Sequence, residues 1–510
     1  MQFHVLAFEG PDPYAQAGGI ASRVTGLTQA LADAGFETHL WFIGAPESPG
    51  HETRGQLRLH RWCQWISRYH PAGVYDGEEG KRHDFAASLP SFLLREALLP
   101  HLQHGGRGVI MAEEWQTVDT VLHLDWLLRG AGVRDQVTIL WNANNTFAFE
   151  RIAWGRLAAA AHITTVSRYM KHVMQSFGVD PLVIPNGLAL EAFVPSEQSA
   201  VKEFRARFRH RTVLSKVARW DPDKRWALAL HTISAVKHQG WQPLFIARGG
   251  VEAHGTEVLA VAAALGLRVV ERSQTLPGVR GMLQALEGLG DVDMVSLRSP
   301  LDAASLRLLF RGSSAVLANS GHEPFGLVGL ETMAAGGVAC TGCSGEDYAV
   351  PGHNALVLET ADPREFLSLY EALRLSPVRE RALRQEGQRT ARCHAWPRIV
   401  QQILLPGSGL LIGMTSEVDE QTVYERPCAV TQGDERLKQE QTQEKSQEPE
   451  HEFHRAVCLA LTARRLLHFT WILPLPYSQS NAGRRAGDDG PVPARRPRRS
   501  SWAAPFPASD

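Results

Sequence analysis

Several classes of protein are excluded by what this 510-residue sequence lacks. Its six cysteines are too few for a disulfide scaffold, which favours a reducing compartment. It has no excess of either charge, since 53 Lys and Arg face 54 Asp and Glu, and this balance argues against a dedicated nucleic-acid binder. No run of about 18 uncharged apolar residues predicts a membrane span, and the start lacks the pattern of a signal peptide. We therefore expect a cytoplasmic protein.

Short apolar runs alternate with helix-period segments from Met1 to about Leu405, a rhythm that predicts a parallel sheet with helices on both faces. FHVLAF predicts the first strand, and the apolar positions from Ile20 to Leu31 predict a helix that ends at Gly35. Proline and glycine in IPNGLALEAFVPSEQSA indicate a linker. We therefore predict an α/β protein with a domain over residues 1–187, a linker over 188–195, a second domain over 196–385 and a closing helix over 386–410.

The last hundred residues differ from the rest in composition. Residues 411–450 carry ten acidic and four basic side chains, a net charge of −6, whereas residues 451–510 carry nine arginines and four acidic residues, a net charge of +5. Charge blocks with few branched apolar side chains bury too little surface to offset the entropy of ordering. The sequence therefore predicts a largely disordered tail over residues 411–510.

The most informative stretch is ANSGHEPFGLVGLETMAAGG, where Glu323 and Glu331 are eight residues apart. Pro324 is suited to the start of a helix, which would leave Glu323 in the preceding loop and Glu331 within the helix. A diphosphate at that start would meet the positive end of the helix dipole and the free amides of Phe325, Gly326 and Leu327. Each carboxylate could accept hydrogen bonds from a pair of hydroxyls, one pair on a sugar and one on a ribose. The alternative is a surface helix with two unrelated glutamates.

Two further patterns are suited to phosphate. In KVARWDPDKRWALAL, Arg219 ends a predicted strand and Lys224 opens a helix, so both cations could converge on a diphosphate, although a solvated turn would have the same composition. Gly18 and Gly19 follow the first strand, where backbone could approach a ligand closely. They lack the GxGxxG spacing of a dinucleotide fingerprint, so an ordinary turn remains an alternative.

Taken together, these motifs resemble family 4 glycosyltransferases. The resemblance covers about Met1 to Leu405 and rests on AGGIASRVTGLTQALADAGFETHLWF, TTVSRYMKHVMQSFGV, VIPNGLALEAF, VARWDPDKR and EPFGLVGLETMAAGG followed by TGCSGEDYAVPGHNALVLE. It implies the GT-B fold, in which two Rossmann-like domains face each other across a cleft. It also implies a hexosyltransferase-type enzyme of class EC 2.4 that retains the anomeric configuration and uses a nucleoside-diphosphate sugar without a catalytic metal or other cofactor.

The resemblance also assigns roles to residues. Glu323 would contact the donor sugar and Glu331 the ribose diol, while Arg219 and Lys224 would neutralise the departing diphosphate. The amides of Phe325, Gly326 and Leu327 would assist, and Gly18 and Gly19 would let the first domain close over the phosphates. Arg219, Lys224 and Glu323 are the expected catalytic residues.

The acceptor side departs from the family pattern. Members often carry a histidine after the fifth strand, whereas ILWNANNTFAF offers Asn142, Asn144 and Asn145. Amides can hydrogen-bond a sugar but cannot act as a base. Asn142, Asn144 and the strand-end residue Glu114 are therefore candidates for contact with an acceptor, which could be a sugar, a lipid or a protein.

Three alternatives concern partners and function. Arginines interleave with aromatic residues from Arg54 to Tyr69, a pattern that fits weak contact with an anionic membrane or a solvated element of the first domain. A GT-B sugar-nucleotide epimerase would need the same nucleotide cleft without an acceptor. A catalytically silent binding or scaffold protein would keep the fold alone.

Overall fold

The strands of this computed structural model form two sheets, and the structure describes residues 1–404. The tail predicted over residues 411–510 lies outside the described part. The first sheet has the strand order β3-β4-β2-β1-β5-β6-β7-β8. Its strands are β1 (Gln2–Leu6), β2 (Glu37–Ile43), β3 (His51–Arg54), β4 (Leu57–Trp62), β5 (Gly108–Glu113), β6 (Val137–Ala143), β7 (His162–Thr165) and β8 (Leu182–Val183).

The second sheet has the order β11-β12-β10-β9-β13-β14-β15, with all neighbours parallel. In the first sheet, only the pair β3 and β4 is antiparallel. The strands of the second sheet are β9 (Thr212–Val217), β10 (Pro243–Arg248), β11 (Val269–Arg272), β12 (Met294–Leu297), β13 (Ala315–Leu317), β14 (Ala339–Thr341) and β15 (Leu356–Val357).

Helices follow most strands, as expected of parallel sheets. Those of the first lobe are α1 (Gly19–Asp33), α2 (Gln64–Ser67), α3 (Glu78–Leu93), α4 (Leu99–Gln103), α5 (Val118–Gly130), α6 (Trp154–Ala160) and α7 (Arg168–Gln175). Those from the linker onward are α8 (Gln198–Arg207), α9 (Trp226–His238), α10 (His254–Ala264), α11 (Gly278–Ala285), α12 (Ala303–Gly312), α13 (Leu327–Ala334), α14 (Pro363–Arg374), α15 (Pro377–Cys393) and α16 (Trp396–Ile399).

The inner strands of each sheet are buried on both faces because most of their side chains are apolar. In β1, Phe3 and Val5 belong to one hydrophobic cluster and Leu6 to another. In β10, Leu244 and Phe245 likewise belong to separate clusters. Successive side chains of a strand point to opposite faces, so two clusters per sheet mean two covered faces. The predicted α/β fold with two Rossmann-like halves is confirmed.

The chain crosses between the lobes twice, and the two crossings touch. The amide of Leu188 in the linker donates to the carbonyl of His394 over 2.8 Å, and the amide of Trp396 donates to the carbonyl of Leu188 over 3.0 Å. The domain boundaries themselves stay a prediction. Near them, β8 ends at Val183 and α8 begins at Gln198.

Two local features differ from the sequence prediction. The helix expected to start at residue 386 is the second half of α15, which starts at Pro377 because Ser376 caps it and proline suits its first turn. That helix then ends at Cys393, and a separate short helix begins at Trp396. The basic and aromatic segment after residue 50 forms β3 and β4, an antiparallel hairpin at the edge of the first sheet. Its many polar residues did not predict strands.

Candidate functional site

Four loops lie at the two points where the strand order reverses. In the first sheet, β1 neighbours β5, so the loop with Gly18 and the turn at Glu114 leave adjacent strands. In the second sheet, β9 neighbours β13, so the loops with Lys224 and Glu323 leave adjacent strands. Crevices at such reversals, outside the carboxyl ends of the strands, are where open α/β sheets bind ligands. The sequence-predicted residues therefore collect at the ligand-binding edge of each sheet.

Lys224 and Glu323 form an ion pair. The Nζ atom of Lys224 lies 2.8 Å from Oε2 of Glu323, although the two residues are 99 positions apart. Lys224 ends a short 3-10 turn that the Asp221 side chain caps, and the amide of Glu323 is held by Ser344 Oγ at 2.9 Å. Both side chains keep partial exposure, 22% and 17%, so their polar atoms remain reachable by a ligand. The pair joins the two loops of the second sheet.

The helix after Glu323 begins later than predicted. Pro324 does not open it, because Gly326 adopts a left-handed conformation with φ of +80° and α13 starts at Leu327. The hydroxyl of Tyr348 donates to the carbonyl of Gly326 and fixes this turn. The amides at the start of α13 have no preceding helical turn to bond, so they are available to an anion.

Glu331 lies within α13, as predicted, and is half-buried. Burial raises the pKa of its carboxyl to about 7. A carboxylate in such surroundings gains from hydrogen-bond donors supplied by a ligand, because they replace the water it has lost.

The glycine loop of the first lobe approaches α13. A methyl group added to Gly19 would lie 3.6 Å from Cδ1 of Leu327, so the side chain of Leu327 reaches toward the start of α1. The carboxylate of Glu9 caps α1, accepting from the amides of Gly18 at 2.9 Å and Ala21 at 3.0 Å. Two helix N-termini, one from each lobe, therefore lie near each other, with the side chain of Leu327 between them.

Arg219 is five residues before Lys224 in the sequence, but its side chain does not contact the ion pair of Lys224 and Glu323. Its side chain is exposed and has no hydrogen-bond or ion-pair partner among residues 1–404. Its carbonyl accepts a 2.7 Å hydrogen bond from Nε1 of Trp226, which fixes the backbone there. The guanidinium is thus free to turn toward an incoming anion.

On the acceptor side, the carboxylate of Glu113 organises a buried network. It accepts hydrogen bonds from Nε of Arg23 at 3.0 Å and from the side-chain amides of Asn142 and Asn144, each at 2.8 Å. Asn142 also accepts from Thr164 at 2.9 Å and is only 1% exposed, so it supports the site from below rather than facing an acceptor. Asn144 is partly exposed, and its Oδ1 has no partner in the described chain.

Glu114 is the more unusual of the two neighbouring glutamates. It is 4% exposed and has a φ of +70°, rare for a residue with a side chain. Burial, together with the charge of Glu113, raises the pKa of its carboxyl to about 8, although the amide of Asn144 donates to it at 2.5 Å. Glu114 is therefore largely protonated near neutral pH. Strain and a perturbed pKa at a strand end are typical of functional positions.

Sequence reasoning missed three charged residues here. Glu9 follows the first strand in FEGPDP, a carboxylate before a glycine loop that could have indicated a cap. Lys216 lies inside the apolar strand TVLSKV, and burial beside Lys224 lowers its pKa to about 7 while it donates to the carbonyls of Leu317 and Asn319. Glu346 accepts from the amides of Gly342 and Ser344, and burial near Glu323 raises its pKa to about 7.

Two other features bear on the predicted partners. Three of the interleaved arginines pair with carboxylates: Arg54 with Glu52, Arg58 with Glu37 and Arg61 with Asp12. Within residues 1–404, no helix has the length and apolar character needed to cross a bilayer. In the same range, no group of three or more His, Cys, Asp or Glu side chains is placed to hold a metal ion. Independence from metal stays a prediction.

The family model and the curated relative that this chain resembles are both glycosyltransferases. Residues 17–192 match the family model described as Glycosyltransferase Family 4. The D-inositol 3-phosphate glycosyltransferase of Geodermatophilus obscurus is 26% identical over 239 residues, which are 46% of this chain and 49% of that protein. The chain thus spans about half the length of this curated relative.

Solved structures share the fold over most of their length. Sucrose-phosphate synthase from Thermosynechococcus elongatus aligns with a TM-score of 0.55 and 18% identity, covering 81% of this chain and 99% of that one. The catalytic domain of starch synthase IV from Arabidopsis thaliana, bound to ADP and acarbose, aligns with a TM-score of 0.54 and 15% identity, covering 76% and 94%. At these identities the likeness shows the fold.

The two sheets and the loops at their carboxyl edges form the GT-B fold. The first lobe of this chain is similar to Glycosyltransferase Family 4, whose model matches residues 17–192. The family resemblance expected from the sequence is confirmed.

Proposed function

We propose that this protein transfers a sugar from a nucleoside-diphosphate sugar to an acceptor, with retention at the anomeric carbon and without a catalytic metal. The observation that carries the proposal is the meeting of Gly19 with Leu327 beside the pair of Lys224 and Glu323. Two helix N-termini and a lysine at one place are suited to a diphosphate. The named relatives and their fold support the same reaction class.

Donor binding would use groups from both lobes. Glu9 engages the amides of Gly18 and Ala21, so the amides of Gly19 and Ile20, together with those at the start of α13, would bind the phosphate oxygens. Lys224 and the free guanidinium of Arg219 would supply positive charge. Glu331 would accept hydrogen bonds from the ribose hydroxyls. Glu323, oriented by its contact with Lys224, would accept hydrogen bonds from the transferred sugar.

In the reaction, the bond between the anomeric carbon and the diphosphate oxygen breaks and a bond to the acceptor oxygen forms on the same face. The proton of the acceptor hydroxyl moves to the departing phosphate oxygen, so no protein nucleophile takes part. Negative charge grows on the diphosphate as the bond breaks, and cations fixed in advance lower that barrier. Asn144 would bind the acceptor from the first lobe, and the buried Glu114 would position that asparagine through its backbone amide. Location in the cytoplasm and weak membrane contact stay predictions.

Nucleotide binding tests the donor half of this proposal. We expect one of UDP, GDP or ADP to raise the melting temperature with or without EDTA. Lys224→Gln and Arg219→Gln should each weaken its binding at least tenfold, because each removes a charged contact. Lys202→Gln is the matched control, since this exposed lysine of α8 lies away from the four loops. Unchanged affinity in both cleft variants, or complete dependence on a divalent ion, would contradict the proposal.

Nucleotide release tests the chemistry. Glu323→Gln should keep nucleotide affinity within a few fold but slow release from the sugar nucleotide at least a hundredfold, because it acts on the sugar rather than the phosphates. Conversion of the sugar nucleotide to an isomer, without net release of nucleotide and without need of an acceptor, would instead indicate the epimerase. Activity of Glu323→Gln equal to that of the original protein would indicate that transfer does not use this site.

A further inference from the structure

A cavity of about 140 Å³ lies behind the second lobe, where the linker meets it. Its walls are the linker, the start of α8, the carboxyl ends of α12 and α13, and the last turns of α15. Ala334 and Ala335 form one wall, so the cavity touches α13 at the end opposite to Leu327. It is therefore a separate place from the nucleotide cleft, joined to it by a single helix.

The charged side chains in the wall of this cavity are all positive. Arg311 and Arg392 are the charged residues of its wall, and no carboxylate lines it. Arg392 is exposed and has no hydrogen-bond or ion-pair partner within the described chain. Such an arginine is available to a ligand without breaking an existing contact.

Two further arginines, Arg384 and Arg205, lie next to Arg311. Arg311 and Arg384 both donate to the carbonyl of Gly336, at 3.0 and 2.9 Å, and Arg205 donates to the carbonyl of Arg311 at 2.7 Å. Burial and mutual repulsion lower the pKa of Arg205 and of Arg311. Among these three arginines, only Arg384 has a carboxylate in contact, Glu380 at 2.8 Å. The cluster therefore has an excess of positive charge that a bound anion would relieve.

Neutral hydrogen-bonding groups complete the wall. The Oγ atom of Ser196 is buried and has no partner in the described residues, and the amide side chain of Gln388 also lines the space. The amides at the start of α8, a ten-residue helix, lie beside Gln198. Glu197 precedes them, but its carboxylate is engaged by the hydroxyl of Ser199. Guanidinium, hydroxyl and amide donors around one cavity match the oxygens of a tetrahedral anion.

We propose that this cavity binds a phosphoryl anion, either inorganic phosphate or a small phosphate ester, and that its occupancy is coupled to the nucleotide cleft. Arg392 on α15 and Ser196 on the linker belong to the two crossings between the lobes, so an anion held by both fixes their spacing. The coupling rests on the proposed function, whereas the binding does not. Reciprocity requires that phosphate and nucleotide change each other's affinity by the same factor.

Isothermal titration calorimetry with inorganic phosphate and with glucose 6-phosphate tests the binding. Titrations at constant ionic strength, with chloride replacing the probe, separate binding from general screening. The full chain carrying Lys224→Gln serves as the background, because it weakens phosphate binding in the nucleotide cleft. We expect Arg392→Gln and Ser196→Ala to raise the dissociation constant, the former at least tenfold. Arg389→Gln, three residues earlier on α15 and paired with Glu386, should stay within twofold.

The two probes distinguish recognition of the phosphoryl group from recognition of the whole ester. Equal affinity for the two probes means that the phosphoryl group alone is recognised, and tighter binding of the ester means that the wall at Phe193 contributes; both support the proposal. Phosphate binding that Lys224→Gln abolishes and Arg392→Gln leaves intact overturns it, as does an absence of binding at 10 mM probe (about a hundredfold above a 0.1 mM site). If nucleotides fail to bind while phosphate binding still depends on Arg392, the proposed function falls and the anion site stands.

Discussion

At the scale of single residues, one aromatic ring holds the returning chain against the first lobe. Trp396 is 1% exposed and lies between Gly26 of α1 and Gly187 of the linker. A methyl group on Gly26 would lie 2.4 Å from the indole, and one on Gly187 would lie 2.6 Å from it. Neither glycine has a positive φ, so both are required for space rather than for backbone conformation.

Gly26→Ala should therefore destabilise the protein, even though alanine favours helices. We expect a loss of about 1–3 kcal/mol from overpacking, measured by urea unfolding. Gly80→Ala in α3 is the control, since its methyl group would meet open space and should leave stability unchanged or slightly higher. A Gly26→Ala protein as stable as the Gly80→Ala protein would show that Trp396 moves aside freely.

The sequence allowed some site residues to be predicted and hid others. Lys224 and Glu323 stand in recognisable motifs, and their contact follows from neighbouring strands. Glu9, Lys216 and Glu346 act on backbone amides or carbonyls, which every stretch of sequence contains. Their partners become known only when the chain is folded, so no spacing rule could single them out.

At the scale of secondary-structure elements, a chain of imidazoles crosses the edge of the first sheet. Hydrogen-bond contacts link His4 to Gln2 at 3.0 Å, Gln2 to His39 at 3.3 Å, His39 to His60 at 3.0 Å and His60 to His51 at 2.8 Å. The strands β1, β2, β4 and β3 supply one histidine each. The chain extends from the buried His4 to the exposed end of His51.

The direction of this chain follows from its first member. Nε1 of Trp41 can only donate, and it lies 3.2 Å from Nδ1 of His4, so a neutral His4 carries its proton on Nε2. That proton goes to Gln2 Oε1, and the amide of Gln2 then donates to His39. Each later imidazole donates through one nitrogen and accepts through the other. His4, His39 and His60 are thus satisfied in the neutral form, and an added proton would meet a carboxylate at His39, where Oε1 of Glu37 lies 3.4 Å from Nε2.

Acid should therefore destabilise the fold. Burial lowers the pKa of His4 well below its usual value, that of His39 to about 4 and that of His60 to about 3. Arg58 and His101 also lower the pKa of His39, while Glu37 opposes them. Because unfolded histidines bind protons near pH 6.5, the unfolded state takes up more protons as the pH falls from 6.5 toward 4, and the free energy of unfolding decreases.

Between pH 7 and 5.5 we expect a loss of about 1 kcal/mol for each deeply buried imidazole, seen as a falling melting temperature. His39→Gln should flatten this dependence, whatever its effect at neutral pH. His231→Gln, at an exposed position of α9, should keep the original slope. The same slope in both variants would mean that the histidine chain does not govern acid stability.

The elements themselves were predicted unevenly. Strands buried on both faces, such as ETHLWFI and VTILWNA, contain short runs of large apolar residues and were found as predicted. The segment LRLHRW of β4 mixes apolar with basic residues, of which Arg61 is buried, and so it resembled a solvated segment. The start of α13 was misplaced because the left-handed turn at Gly326 depends on Tyr348, which is 22 residues away.

At the scale of the whole molecule, a carboxylate of the second lobe contacts a helix of the first. Oδ2 of Asp347 accepts from the amide of Arg168 at 2.7 Å, at the start of α7. Its other oxygen lies 3.5 Å from Nε of the same arginine. Nearby, Phe325 and Tyr348 share a hydrophobic cluster with Met170. The contact therefore favours lobes held close together.

Asp347→Ala should loosen this closure without unfolding either lobe. We expect the KM for the sugar nucleotide to rise about three- to tenfold, the loss of one charge-assisted hydrogen bond, and small-angle scattering to show a larger radius of gyration without nucleotide. Asp180→Ala removes an exposed carboxylate of the first lobe and should change neither quantity. An unchanged radius and KM for Asp347→Ala would show that closure depends on the hydrophobic contacts alone.

The pairing of Leu188 with His394 and Trp396 has a consequence for biosynthesis. The first lobe is built from the beginning of the chain and sealed by residues near 400, so a ribosome must deliver the entire second lobe before the first can be completed. A nascent fragment that ends before Trp396 leaves the groove between Gly26 and Gly187 open to water. The first lobe therefore reaches its final structure only after the second lobe has been synthesised.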